Sequence, residues 1–177
     1  MDRKWAALIH FCLSSFLFTL AVTSQAAKVR LNKVGLAHRR FTPLEPFDWR
    51  GAKTHALVTD VWYPAEPSAV EQTQYVGNPA NPFAIAGKAA PDAPFLAKPA
   101  QFPLILLSHG TGGSSQIVAW FGAALAARGY LVAGVNHPAN NALEDTTTQG
   151  FALWWERATD LSVVLDQMLA DSNFGSH

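Results

Sequence analysis

The stretch that most constrains the fold is an apolar strand that runs directly into a glycine turn. Leu104–Leu107 is an unbroken apolar run, which is typical of a strand buried on both faces under helices. It leads into His109–Gly113, which reads His-Gly-Thr-Gly-Gly, and a helical pattern begins at Ser114 or Ser115. A strand, a glycine turn and a helix N-terminus together present unpaired backbone N–H groups and the positive end of a helix dipole. We therefore expect this turn to hold negative charge, either a phosphate or the oxyanion of a tetrahedral intermediate.

The composition fits one globular domain, or part of a larger one. The chain has 177 residues, of which 49% are hydrophobic and 15% are charged, and its formal net charge is zero. There is no basic cluster and no alternation of basic and aromatic residues, so we expect no nucleic-acid partner. A polyanionic ligand would likewise meet no attractive long-range field.

Residues 1–26 are predicted to form a secretory signal peptide. A short charged start is followed by the apolar run Trp5–Val22 and by small residues up to Ala26. Cleavage there would leave residues 27–177 as a secreted or periplasmic chain without stable membrane association. The alternative is an uncleaved anchor, because the apolar run approaches the length that spans a bilayer. The single cysteine, Cys12, lies in this segment, so the mature chain would have neither a disulfide nor a cysteine nucleophile.

The first half of the mature chain predicts a few strands and one long loop. One or two short strands fit Val29–Thr42, and Asp48–Gly51 has the composition of a turn. A further strand is predicted over Ala56–Tyr63 and is expected to end at Pro64, because proline cannot donate a ladder hydrogen bond. Ala65–Gln101 carries scattered prolines and glycines and is predicted to be a loop that packs partially on the surface.

The second half alternates strands and helices. The helix after the glycine turn is expected to end at Gly129, and a continuous apolar strand follows at Tyr130–Val135. A polar loop over Ala139–Gly150 then precedes an amphipathic helix over Trp154–Met168. In the first helix the residues expected to face inward are Ile117, Phe121, Ala124 and Leu125. Strand, helix, strand and helix predict right-handed crossovers in a parallel sheet, and a further strand should follow, so we interpret the chain as the front part of a larger domain.

Several segments together carry a family resemblance. They are Asp60–Ala65, Pro103–Gly113, the stretch from Ala126 to Pro138, and Arg157 with Asp160-Leu161. In order and spacing they resemble the N-terminal half of an α/β-hydrolase of the predicted dienelactone hydrolase type, and they are similar to platelet-activating-factor acetylhydrolases. The resemblance implies an α/β fold with a mostly parallel, doubly wound sheet and helices on both faces.

The resemblance also implies an activity and a site. The activity is hydrolysis of a small-molecule carboxylic ester or lactone by a serine nucleophile, without a cofactor. The backbone N–H of Thr111, directly after His109 and Gly110, would be one donor of the oxyanion hole. The family's Gly-x-Ser-x-Gly elbow would follow the last helix, but the sequence contains no such motif. We therefore expect the serine, acid and histidine of the triad to be absent, and this chain alone to be inactive.

Two histidines stand at the ends of predicted parallel strands, where open α/β sheets bind ligands. His109 and His137 are therefore candidate general bases, but a histidine in such a position more often hydrogen-bonds backbone and orders the loop. They do not predict a metal site, because no carboxylate or further histidine stands at ligand spacing; Glu144 and Asp145 lie in an unpatterned loop.

Three serines flank the turn. Ser108, Ser114 and Ser115 could be taken for nucleophiles, but none lies in an elbow motif, and Ser114 or Ser115 is more simply explained as a helix N-cap.

Nucleotide binding through the Gly110–Gly113 turn is an alternative function. The third glycine position of the dinucleotide pattern is Ser115, however, and the turn has no P-loop lysine. A non-catalytic secreted α/β domain is the other alternative.

Overall fold

One mixed six-stranded sheet organises the computed structural model, which describes residues 30–177. Its strands are β1 (Lys33–Phe41), β2 (Leu57–Ala65), β3 (Gln72–Asn78), β4 (Asn81–Pro91), β5 (Leu104–Ser108) and β6 (Leu131–Val135). The helices are α1 (Ser115–Ala126), α2 (Thr148–Ala152) and α3 (Arg157–Ala170), and a 3₁₀ turn over Trp154–Glu156 precedes α3. The predicted glycine turn therefore connects β5 to α1.

The strand order is β3-β4-β1-β2-β6-β5. β5 and β6 are parallel from Leu104 opposite Leu131 to Ser108 opposite Val135. β2 is antiparallel to both β1 and β6, and β3 is antiparallel to β4. The expectation of a mostly parallel sheet is thus corrected to a mixed sheet. The physical reason is that the connection over residues 42–56 contains no helix to carry the chain back for a parallel pairing of β1 and β2.

Helices cover both faces of the sheet, as expected for a partial α/β-hydrolase fold. Alternate residues of a strand point to opposite faces, so Trp62 of β2 packs with α1 while its neighbour Val61 packs with α3. α3 buries Val164 and Met168 in its interface with the sheet. Every residue of β6 is buried, which matches the continuous apolar pattern of that strand.

Residues 65–101 correct the prediction of a loop. They contain the β3–β4 hairpin, whose register shifts between Gln74 and Tyr75 and again between Val76 and Gly77. The hairpin is largely exposed and joins the rest of the sheet through only two residue pairs of β4 with β1, so it leaves little hydrophobic alternation in the sequence. β2 also continues past Pro64, because Ala65 still pairs with Lys33 of β1; the carbonyl of Pro64 accepts the N–H of Leu96 at 2.9 Å.

The predicted signal peptide and Cys12 lie outside the described residues. Within residues 30–177, none of the helices combines the length and apolar character needed to span a bilayer.

Candidate functional site

The glycine turn lies at the carboxyl ends of the two parallel strands β5 and β6. This is the edge at which open α/β sheets bind their ligands. Gly112 has a φ of +67°, in the left-handed region that favours glycine. A Cβ added at Gly110 or at Gly112 would have no other atom within 4 Å, so the space in front of the turn is open.

The turn is held by hydrogen bonds that leave two of its amides free. The N–H of Gly113 donates to the carbonyl of Gly110 at 3.1 Å, and the N–H of Gly112 donates to Oδ1 of Asn140 at 2.9 Å. The N–H groups of Gly110 and Thr111 donate to no acceptor within residues 30–177. The sequence-predicted donor, the exposed Thr111, thus has an N–H available to a ligand.

His109 is buried and bonds backbone on both sides of its ring. Its Nδ1 lies 2.7 Å from the carbonyl oxygen of Gly110, and its Nε2 accepts the N–H of His137 at 3.3 Å. Nε2 must therefore be unprotonated, and Nδ1 carries the proton that Gly110 accepts. Burial lowers the pKa of His109 to about 4, so the ring is neutral near pH 7. Neither nitrogen is free to act as a general base.

A second hydrogen-bonded chain of side chains lies beside the turn. Oγ of Ser108, at the end of β5, is 2.8 Å from Nε2 of His137, which follows β6. Nδ1 of His137 is 2.8 Å from Oδ2 of Asp160 on α3. His137 and Asp160 are buried, whereas Ser108 is exposed. The order of the three groups is that of a serine–histidine–aspartate triad.

Two arginines change the electrostatics of that chain. Nη2 of Arg50 donates to both carboxylate oxygens of Asp160 at 2.9 Å, in a pair that is almost fully buried. Nη1 of Arg157 donates to the carbonyl of His109 at 2.7 Å. Burial lowers the pKa of His137; the hydrogen bond to Asp160 opposes this, and the two guanidinium groups reinforce it. Two cations beside one carboxylate therefore favour the neutral imidazole and make His137 a weak base.

Neither serine at the start of α1 has the geometry of a nucleophile. Ser114 occupies the N-cap position, although its side chain makes no capping hydrogen bond. Oγ of Ser115 donates to Oδ2 of Asp60 at 2.5 Å, and Oδ1 of the same carboxylate lies 2.5 Å from Nδ1 of His38. That contact raises the pKa of His38. Ser115, Asp60 and His38 line a cavity of about 340 Å³ together with Asn136.

Sequence reasoning missed the roles of Asp160 and Arg50. Asp160 served only as a marker of resemblance, and Arg50 only as part of a predicted turn. One signal was present: Asp160 precedes Val164 by four residues and Met168 by eight, so it lies on the buried stripe of α3. A carboxylate on a buried face requires a partner. No local pattern identified that partner as Arg50. No cluster of potential metal ligands occurs in the described part of the chain.

Comparison with known proteins supports this description of the fold. No curated protein sequence matches the chain. Among solved structures, the chain is similar to a ferulic acid esterase from Streptomyces cinnamoneus, with 25% sequence identity and a TM-score of 0.62 over 86% of this chain. The match covers 50% of the esterase, so the chain spans about half of that protein's length. The sequence model of the family described as platelet-activating factor acetylhydrolase, isoform II, matches residues 63–153, which include β5, the glycine turn, α1 and β6. The chain therefore belongs to the platelet-activating factor acetylhydrolase isoform II family.

Proposed function

We propose that this chain is the N-terminal part of a serine-type hydrolase of small-molecule carboxylic esters or lactones. Membership of an acetylhydrolase family and likeness to a ferulic acid esterase support ester hydrolysis as the general reaction. The observation that carries the proposal is the N–H of Thr111 at the open carboxyl edge of the sheet, which has no acceptor among residues 30–177. An amide in that position suits the developing oxyanion of an acyl-transfer reaction.

In the proposed reaction the glycine turn stabilises the oxyanion of the tetrahedral intermediate. A serine hydroxyl loses its proton to a histidine while Oγ bonds to the ester carbonyl carbon, and the carbonyl π electrons move to oxygen. The N–H of Thr111 donates to this oxyanion, and loss of one such donor typically lowers kcat by about 10²- to 10³-fold. Collapse of the intermediate expels the alcohol with the histidine's proton, and water then releases the acid by the same route.

We place the nucleophile outside these residues, on a Gly-x-Ser-x-Gly elbow, because the sequence has no such motif. Ser108 is the alternative within the chain, since its hydroxyl contacts His137. Two features argue against it. The serine ends a regular strand rather than occupying a strained elbow, and the arginines beside Asp160 oppose formation of the His137 imidazolium.

A fluorophosphonate probe tests the proposal directly. The native protein, captured with an antibody against residues 30–177, is labelled and digested, and the modified peptide is identified by mass spectrometry. We expect the label on a Gly-x-Ser-x-Gly peptide, and we expect the 177-residue chain alone to stay unlabelled. A label on Ser108 would refute our placement of the nucleophile, whereas the absence of any labelled serine would refute the function.

We also propose export of the protein, so the mass spectra from the same digest should place the mature N-terminus at Ala27.

A further inference from the structure

A single peptide group joins the carbonyl of Gly110 to the N–H of Thr111. In a planar trans peptide the C=O and N–H bonds point in opposite directions. Any contact that fixes the direction of the Gly110 carbonyl therefore also fixes the direction of the Thr111 N–H. The contacts of the Gly110 carbonyl therefore determine where the candidate oxyanion donor points.

Within residues 30–177, two donors hold the carbonyl of Gly110. Nδ1 of His109 lies 2.7 Å from it, and the N–H of Gly113 lies 3.1 Å from it. Of these, the imidazole contact is the shorter, and its ring is buried. At the opposite end of the same peptide, Thr111 is exposed and its N–H has no acceptor in the described chain. The bound carbonyl and the free amide are two ends of one oriented dipole.

The surroundings of His109 leave one arrangement of its ring. The backbone N–H of His137 donates to Nε2 at 3.3 Å, which fixes the proton on Nδ1, where it faces Gly110. Nη1 of Arg157 donates to the carbonyl of His109 at 2.7 Å and anchors the start of the turn. A hydrogen bond to a carbonyl also polarises the peptide and strengthens its N–H as a donor.

We propose that His109 is a positioning residue that aims and polarises the Thr111 amide through the intervening Gly110 carbonyl. The proposal rests on the proposed function, because it assigns His109 a part in oxyanion stabilisation without contact to the substrate. It differs from a general-base role, in which the ring itself would exchange a proton with the reacting groups. The positioning role requires a side chain at position 109 that donates a hydrogen bond, whereas the general-base role requires one that accepts a proton.

Two substitutions in the full-length protein separate these roles. In His109→Asn, Nδ2 stands where Nδ1 stood and can donate to the same carbonyl, although it cannot act as a base. In His109→Leu, a side chain of similar reach has no donor. We expect the leucine variant to lose about 10- to 100-fold in kcat with KM little changed, because one oxyanion donor is misaligned. We expect the asparagine variant to stay within about threefold of the wild-type kcat.

A spectroscopic measurement reads the hydrogen bond without relying on catalysis. Gly110-Thr111 is the only Gly-Thr pair in the 177 residues, so ¹³C-carbonyl glycine with ¹⁵N-threonine labelling gives one resolved signal from this sequence. We expect the carbonyl resonance to move upfield in His109→Leu and to stay near its wild-type position in His109→Asn. If the leucine variant does not fold, the asparagine variant alone decides, because a general base could not be replaced by an amide.

The possible results separate a failure of the positioning role from a failure of the proposed function. Equal loss of kcat in both variants, or an unchanged carbonyl resonance in the leucine variant, would overturn the positioning role. A wild-type protein that hydrolyses no ester would instead refute the proposed function, while the resonance shifts would still report whether His109 holds the peptide.

Discussion

At the scale of single residues, Asp160 is the group on which the polar contacts beneath the turn converge. It accepts from Arg50 with both oxygens and from His137 with one of them, and both members of its pair with Arg50 are almost fully buried. Removing one member of a buried pair leaves the other charge without compensation, which typically costs about 3–5 kcal/mol. We therefore expect Asp160→Asn to lower the free energy of unfolding by about 3–5 kcal/mol, seen as a lower urea midpoint when unfolding is followed by circular dichroism.

The same substitution at an exposed pair serves as the control. Nζ of Lys53 lies 2.6 Å from Oδ2 of Asp145, but both side chains are more than three-quarters exposed. Solvent screening makes such pairs nearly neutral for stability, so Asp145→Asn should leave the midpoint unchanged within error. Equal effects at Asp145 and Asp160 would contradict the assigned role of the buried pair.

The residue scale also shows which part of the site a sequence can reveal. The glycine turn was predictable because consecutive residues without a β-carbon, placed between an apolar run and a helix, form a local signal. The contact between Arg50 and Asp160 was not predictable, because it joins positions 110 residues apart and depends on the pairing of the sheet. His137 was named as a strand-end residue, but its partners on both sides became visible only in three dimensions.

At the scale of elements, the spacing of the large apolar residues predicted the wrong buried face for α1. Ile117 and Phe121 were expected to face inward, yet they are 47% and 42% exposed. The buried face instead carries small residues, including Ala119, Gly122 and Ala123. The reason is distance: the helix backbone lies so close to the sheet that only small side chains fit, and the apolar pattern of larger residues gives no sign of this.

The position of Gly122 shows how closely α1 approaches the sheet. A Cβ at this position would lie 2.5 Å from Cε3 of Trp62, whose side chain is 1% exposed and has no room to move. We expect Gly122→Ala to destabilise the protein by about 1–3 kcal/mol despite the better helix propensity of alanine, measured as a lower Tm. The matched control is Gly110→Ala, because an added Cβ there meets no atom within 4 Å. A higher Tm for Gly122→Ala would show that α1 can shift away from Trp62.

At the scale of the whole molecule, one half of the sheet was predictable and the other was not. The segment from β5 to α3 alternates strands and helices in chain order, so its parallel pairing and its helices on both faces followed from local patterns. The half from β1 to β4 is joined by irregular connections, and its antiparallel pairings are a choice of partner that no single segment records. The exposed hairpin lacks the alternation that identifies half-buried strands.

The stability of the molecule should depend on pH through its buried histidines. Burial lowers the pKa of His109 from 6.5 to about 4 and lowers that of His137 as well, so between these values the unfolded chain binds more protons than the folded one. The contribution of these histidines to the free energy of unfolding is therefore fully present above about pH 6.5 and is lost as the pH drops towards 4. For His109 the full loss is of the order of 3 kcal/mol. His38 has the opposite dependence, but its side chain is 72% exposed and contributes little.

Urea midpoints at pH 7.5 and pH 4.5 check this dependence. Carboxylates also titrate over part of this range, so the informative quantity is the difference between the wild type and His109→Asn, which cannot titrate at that position. We expect the variant to lose less stability than the wild type on acidification. An identical loss in both proteins would contradict the role of His109 in acid sensitivity.

The span between Arg50 and Asp160 has a consequence for how the protein is made. At about 5–20 residues per second, a ribosome needs roughly 5–20 s to add the 110 residues that separate them. Throughout that interval the guanidinium of Arg50 lacks its Asp160 partner and stays hydrated, so the N-terminal strands cannot close a dry interior around it. Final consolidation of the nascent chain therefore waits until α3 has emerged from the exit tunnel, and translation arrested before codon 160 yields a polypeptide that cannot bury its own cation.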